Sequence, residues 1–277
     1  MSSTPPPGSA LSFDGPLARR HRARLIGSGP ELVIFSHGLG TDQRTWSSVI
    51  GHLPDRYTIL VYDLPGAGPL LPEDFDPGNY QSLSAFADDL LGLLDEIGVT
   101  RAAYVGHSVS GMIGVLAAIE DPDRFAKLIL LNASPRYLDD GDYKGGFSRG
   151  DLEGLLTAMG ANYQAWVAGF APVAVGKNVP HAVDDFASGL LAMRPDVTLR
   201  IARTIFESDV RALLPLVRVP TVLVHARHDV AVPQAVAEYL HDQIPGSELV
   251  WIDAEGHLPH LSSPDIVAAT LRRHLGG

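Results

Sequence analysis

The sequence predicts an α/β protein: a mostly parallel central sheet flanked by helices, with an inserted four-helix lid. Three observations carry that expectation. Short apolar runs alternate with helical patterns along most of the 277 residues. Several runs are apolar at successive positions rather than at every second one, the pattern of strands covered on both faces. Between about Ser134 and Pro220 the alternation stops, and helical stripes follow one another with no convincing strand.

Taken in order, residues 1–16 are rich in Pro, Ser and Gly and read as a disordered tail. The tail lacks a basic segment followed by an apolar run, so it does not resemble a secretory signal. The first part of the core is expected over 17–134, the helical lid over 135–215 and the second part of the core over 216–277. Strands are expected at Leu32–Phe35, Tyr57–Val61, Ala102–Val105, Leu128–Leu131, Thr221–Val224 and Glu248–Ile252. Trp46, Val49, Ile50 and Leu53 share one helical face, as do Leu83, Phe86, Leu90 and Leu94. Ser263-Pro264 opens the last helix, which turns Ile266, Val267, Leu271 and Leu275 inward. In the lid, stripes run through Leu152, Leu155, Leu156 and Met159, then Tyr163, Trp166, Val167 and Phe170. Val183, Phe186 and Leu190 form a third, and Val197, Ile201 and Ile205, opened by Pro195, a fourth.

Composition narrows the function. With 45% apolar and 19% charged residues the chain is globular, and its formal net charge of -11 argues against a nucleic-acid partner. The absence of cysteine removes disulfides, thiolate metal sites and cysteine nucleophiles. No apolar run approaches the ~20 residues that cross a bilayer, so a cytoplasmic protein without membrane contact is expected.

The chemistry concentrates in Gly106-His-Ser-Val-Ser-Gly111, which follows a strand and precedes a helix. Such short patterns arise by chance, but here the sharp strand-to-helix turn lifts the Ser108 hydroxyl above the sheet. Ser110 departs from the broad G-x-S-x-G pattern. A serine hydroxyl needs a base, and His257, on the glycine-bearing loop after the last strand, is the candidate over His107, His225, His228 and His260. An acid must hold the imidazole; Asp229 follows the preceding strand, and Asp253 is the rival at a strand end. Ser36-His-Gly-Leu-Gly40 supplies a turn whose Leu39 N–H, with that of Val109, can form an oxyanion hole. Asp63-Leu-Pro-Gly-Ala-Gly68 reads as a tight turn beside the site, without the lysine of a phosphate loop. The histidine pairs His225/His228 and His257/His260 lack a third ligand, so no metal and no cofactor are expected.

At these residues the chain resembles a branch of the α/β-hydrolase superfamily: the RsbQ-type bacterial stress-regulation hydrolases and the plant karrikin and strigolactone receptor hydrolases. Ser36–Gln43, Gly106–Ser110, Ala133–Tyr137, Gly145–Phe147, Ala161–Trp166, Gly169–Pro172, Asp229 and Gly256–His260 carry the likeness. Ser110 matches the plant members, while Leu39 stands where these usually have Phe. The resemblance implies the α/β-hydrolase fold with a lid over an apolar pocket lined by Leu39, Tyr137, Phe147, Trp166, Phe170 and Phe186; His107, next to Ser108, is expected to point away from the hydroxyl and pack beside that pocket. The resemblance also implies a small hydrophobic ligand of the butenolide type. Two readings remain open: an esterase or lactonase, and a slow-turnover receptor acting through a regulatory protein partner at the lid. A carbon–carbon bond hydrolase or perhydrolase is a third, whereas an Asp-nucleophile dehalogenase is excluded by the serine at 108.

Overall fold

The computed structural model describes residues 11–68, 75–76, 78–176 and 179–276. The chain runs through β1 (Leu11–Ser12), α1 (Pro16–Arg20), β2 (Arg24–Ile26), β3 (Glu31–Ser36), α2 (Ser47–Ile50), β4 (Tyr57–Val61), α3 (Leu83–Glu96), β5 (Ala102–His107), α4 (Val109–Glu120) and β6 (Phe125–Leu131). Four helices come next: α5 (Arg149–Ala161), α6 (Tyr163–Val175), α7 (Pro180–Ala192) and α8 (Pro195–Phe206). β7 (Thr221–His228), α9 (Gln234–Gln243), β8 (Glu248–Glu255), α10 (Pro259–Ser262) and α11 (Pro264–His274) complete it.

The strands form one 8-stranded sheet in the order β1-β2-β4-β3-β5-β6-β7-β8. From β3 onward the neighbours are parallel, and β1 and β2 add an antiparallel edge. Side chains alternate between the faces at a period of two. Ile34, Leu60, Tyr104, Leu128 and Leu130 pack with Leu90, Leu94, Met112 and Ile113 of α3 and α4. Val33, Phe35, Val61, Val105 and Ile129 pack on the other face with Trp46, Val49, Val267 and Leu271. Covering both faces is what makes the strands near-continuously apolar.

The register fixes where loops can meet. Ser36 pairs with Gly106, and His107 with Leu131, so β3, β5 and β6 end level with one another. The loops that follow β3, β5, β7 and β8 therefore open at one edge of the sheet.

Each inserted helix has a visible start. A capping box between Ser148 and Asp151 opens α5, the Asn162 side chain accepts the Ala165 N–H at the head of α6, and Pro180 and Pro195 sit in the first turns of α7 and α8. The α5, α7 and α8 stripes are mostly buried. On α6, Val167 is buried while Tyr163, Trp166 and Phe170 stay half-buried.

Three details differ from the sequence expectation. The tail expected over 1–16 falls partly outside the described residues, but Leu11–Ser12 pairs with Arg24–Leu25 and Pro16 begins a helix. β2 has three residues and an arginine at its head, too short for a periodic signal. β6 starts earlier, at Phe125, and β7 and β8 run further, to His228 and Glu255. Ladder pairing reaches beyond the apolar stretch there, since backbone groups bond regardless of side-chain polarity. Among the described residues no helix is long and apolar enough to cross a membrane.

Candidate active site

The turn after β5 creates the site. Ser108 adopts φ 56°, ψ -124°, a sparsely populated positive-φ conformation that costs a residue with a Cβ about 1–3 kcal/mol. Its N–H donates to the Leu131 carbonyl at 2.9 Å, and its carbonyl accepts the Gly111 N–H at 2.9 Å. The flanking glycines are sterically required. A Cβ on Gly106 would lie 2.5 Å from the Ser110 carbonyl oxygen, and one on Gly111 would lie 2.4 Å from the Ala133 Cβ.

Two loops from across the sheet bring the partners. His257 Nε2 is 2.8 Å from Ser108 Oγ, and His257 Nδ1 is 2.8 Å from Asp229 Oδ2. The Asp229 side chain is fully buried, and its Oδ1 accepts the N–H groups of Ala231 at 2.7 Å and Val232 at 3.1 Å. Those bonds hold the carboxylate so that Oδ2 takes the Nδ1 proton, which leaves Nε2 to accept from the serine hydroxyl. The rival Asp253 is exposed on β8.

The histidine loop is anchored by its backbone. The His257 N–H donates to the Ala174 carbonyl of α6 at 2.7 Å. Its carbonyl accepts His107 Nε2–H at 2.7 Å and Asn132 Nδ2–H at 3.3 Å. Asn132, at φ 47°, also donates to the Gly256 carbonyl at 3.1 Å and accepts the Ala226 N–H at 2.9 Å, so it ties β7 to this loop. No motif advertises Asn132. His107 packs beside the site, its ring 5.0 Å from that of His257 and 4.3 Å from that of His260. Burial, reinforced by His260 and His257, drives its pKa far below the ordinary imidazole value and keeps it neutral. His260 faces the core. It stacks on Trp46 with ring centres 4.7 Å apart, bonds Thr45 Oγ1 at 2.9 Å, and has its pKa pushed down to about 3 by burial.

The loop after β3 lies against Ser108. A Cβ on Gly38 would sit 3.2 Å from the Ser108 Cβ and 2.7 Å from His107 Nδ1. The Gly38 carbonyl accepts from Thr41 Oγ1 at 3.0 Å and from His37 Nδ1 at 2.9 Å. His37 Nε2 accepts the Leu64 N–H at 2.9 Å, which fixes that tautomer, and burial lowers its pKa. In a trans peptide C=O and N–H point opposite ways, so the Leu39 N–H is directed away from the Thr41–His37 cluster. Among the described residues, neither the Leu39 nor the Val109 N–H has a hydrogen-bond partner.

Leu39 and Val109 border a constricted apolar cleft of about 20 Å³, closed by Leu64 and Phe86 from the core and by Met193, Ile201 and Ile205 from the inserted segment. Sequence periodicity marked Ile201 and Ile205 only as core, because a buried stripe looks the same whether it faces a neighbour or a cavity. Tyr137 comes closer than the resemblance implied, its Oη 3.1 Å from Ser108 Oγ and its ring edge-on to Phe206. Phe186 packs over Gly40, where a Cβ would meet its ring at 2.9 Å. Phe147 packs on Phe206, and Trp166 stacks on Phe170 at 4.8 Å, outside the lining of this cleft.

Comparison with known proteins agrees with this architecture. Residues 33–270 match the model of the alpha/beta hydrolase family. A strigolactone esterase of Pisum sativum is 48% identical over 258 residues, 92% of this chain and 97% of the relative. A karrikin insensitive 2 receptor of Petunia hybrida is 45% identical over 263 residues, 94% of this chain and 97% of the relative. Among solved structures, a hydrolase from Oleispira antarctica superposes with a TM-score of 0.90 at 28% identity, covering 96% of this chain and 99% of that one. With the family match running through both halves of the sheet and the helices between them, the chain belongs to the α/β-hydrolase family.

Proposed function

We propose that the protein is a serine hydrolase that cleaves a small, uncharged, hydrophobic ester or lactone through Ser108, His257 and Asp229. The observation that carries this reading is the unbroken line of hydrogen bonds from the Asp229 carboxylate through the imidazole to the Ser108 hydroxyl, each 2.8 Å long.

His257 Nε2 takes the hydroxyl proton as Ser108 Oγ forms a bond to the acyl carbon. The carbonyl electron pair moves to oxygen, and the Leu39 and Val109 N–H groups bind the resulting anion. When the acyl–oxygen bond breaks, the imidazolium returns its proton to the departing alcohol, or to the freed end of an opened lactone. Water, deprotonated by His257, then releases the acid from Ser108. Asp229 holds the imidazole Nδ1–H throughout and stabilises the imidazolium. The apolar side chains around Leu39 and Val109 support an uncharged substrate, since a charge against them would lose its hydration without a partner.

A receptor role is the second reading, favoured by the plant relatives that are karrikin receptors by name. In that case hydrolysis is slow and the inserted helices meet a protein partner. Turnover of a 4-nitrophenyl ester and of a synthetic butenolide by wild type, set against Ser108→Ala, tests the enzyme. Loss of turnover in the variant supports it; no turnover by wild type, with no labelling by a serine-reactive phosphonate, refutes it. A cellular response that survives Ser108→Ala points to the receptor role.

A further inference from the structure

Ser110 stands where the broad elbow pattern has glycine, and nothing in the proposed chemistry uses it. Its side chain is fully buried. The hydroxyl donates to the His37 carbonyl and accepts from Ser36 Oγ at 2.8 Å, and Ser36 Oγ lies 2.7 Å from Tyr62 Oη. A carbonyl can only accept, so the direction of the chain is set: Tyr62 donates to Ser36, Ser36 to Ser110, and Ser110 to His37. Burial pushes the Tyr62 phenol up to about 12, so it keeps its proton at any working pH.

The segments joined in this way carry the two free amides beside the nucleophile. Ser110 follows Val109, and His37 precedes the Gly38–Leu39 peptide. The ladder between β3 and β5 ends at Ser36 and Gly106. Beyond it, among the described residues, no backbone hydrogen bond joins residues 37–41 to residues 107–111. We propose that Ser110 is a positioning residue whose hydroxyl fixes the separation of the Leu39 and Val109 N–H groups, and with it the shape of the oxyanion hole. This rests on the hydrolase reading. With glycine at 110, the buried His37 carbonyl loses its donor and the Ser36 hydroxyl its acceptor.

Ser110→Ala in the full chain tests the tie. Per titrated active site, kcat for 4-nitrophenyl acetate is expected to fall about tenfold with KM changed less than about twofold, since the lost interaction acts on the transition state. Affinity for an alkyl boronic acid, which adds to Ser108 as a tetrahedral anion, is expected to fall by a similar factor. The midpoint of the kcat/KM pH profile stays in place because His257 and Asp229 are untouched. Amide hydrogen exchange quickens in residues 37–41 and not in 226–232 or 255–260. A purely structural role lowers the melting temperature without moving boronate affinity. Ser36→Ala keeps the Ser110–His37 bond and is expected to cost no more than about twofold in kcat; a larger loss there than in Ser110→Ala overturns the assignment. So does an unchanged kcat with unchanged exchange in 37–41. If wild type shows no Ser108-dependent turnover, the esterase reading falls, and exchange in 37–41 alone decides whether the tie exists.

Discussion

At the scale of the residue, the site depends on conformations and contacts that side-chain chemistry alone does not specify. Ser108 is held at positive φ, and glycine tolerates that backbone without penalty. Ser108→Gly and Ser108→Ala should both abolish turnover, with the glycine variant more stable by about 1 kcal/mol in chemical denaturation. Tyr137 offers a second test. Burial raises its phenol above the ordinary tyrosine value, so Oη remains a donor to Ser108 Oγ. Tyr137→Phe should lower kcat severalfold while leaving the fold intact, read from steady-state kinetics beside a melting curve. Ser108, His257 and Asp229 were legible in the sequence because each follows a strand end, and parallel strands end at one edge. The 3.1 Å approach of Tyr137 was not legible, because it depends on the path of a loop that has no periodicity. Asn132 was invisible for a similar reason: its bonds are to backbone groups far away in sequence.

At the scale of the element, apolar periodicity located the strands from β3 onward and all four inserted helices, since a strand covered on both faces and a helix with one buried stripe leave distinct patterns. It missed β1 and β2, which are too short to show a period, and it could not show that α6 ends against the histidine loop. That junction is tight. Gly256 has φ 82°, and a Cβ there would lie 1.7 Å from the Val175 carbonyl oxygen. Gly256→Ala should therefore cost more than about 2 kcal/mol of stability and remove most turnover, because the clash can be relieved only by moving α6 or the base. Gly154, inside α5, has nothing within 4 Å of its Cβ position. Gly154→Ala should stabilise by about 0.5–1 kcal/mol with activity unchanged, as read by thermal melting and ester assay.

At the scale of the whole molecule, buried neutral imidazoles shape the response to acid. Burial holds His260 at about 3 and His225 at about 4, with His107 also far below its ordinary value. The unfolded chain binds protons at these positions near pH 6.5, whereas the folded chain does not until the pH is far lower. Their contribution is complete above the unfolded value and is lost as the pH falls from about 6.5 toward the folded values, at up to ~1.4 kcal/mol per unit for each group. Denaturation midpoints should thus drop steadily between pH 7 and 5, and His260→Gln should flatten the slope. The hydrogen bond from His257 to Ala174 also bears on how such a scaffold can diversify. The imidazole that the proposed hydrolysis uses as its base is fastened to the last turn of α6, whereas the cleft beside Leu39 and Val109 is lined from α8 by Ile201 and Ile205. Under that reading α8 can be re-carved for a different substrate while that turn stays bolted in place, so variation in specificity is expected to accumulate on α8 and to spare the end of α6.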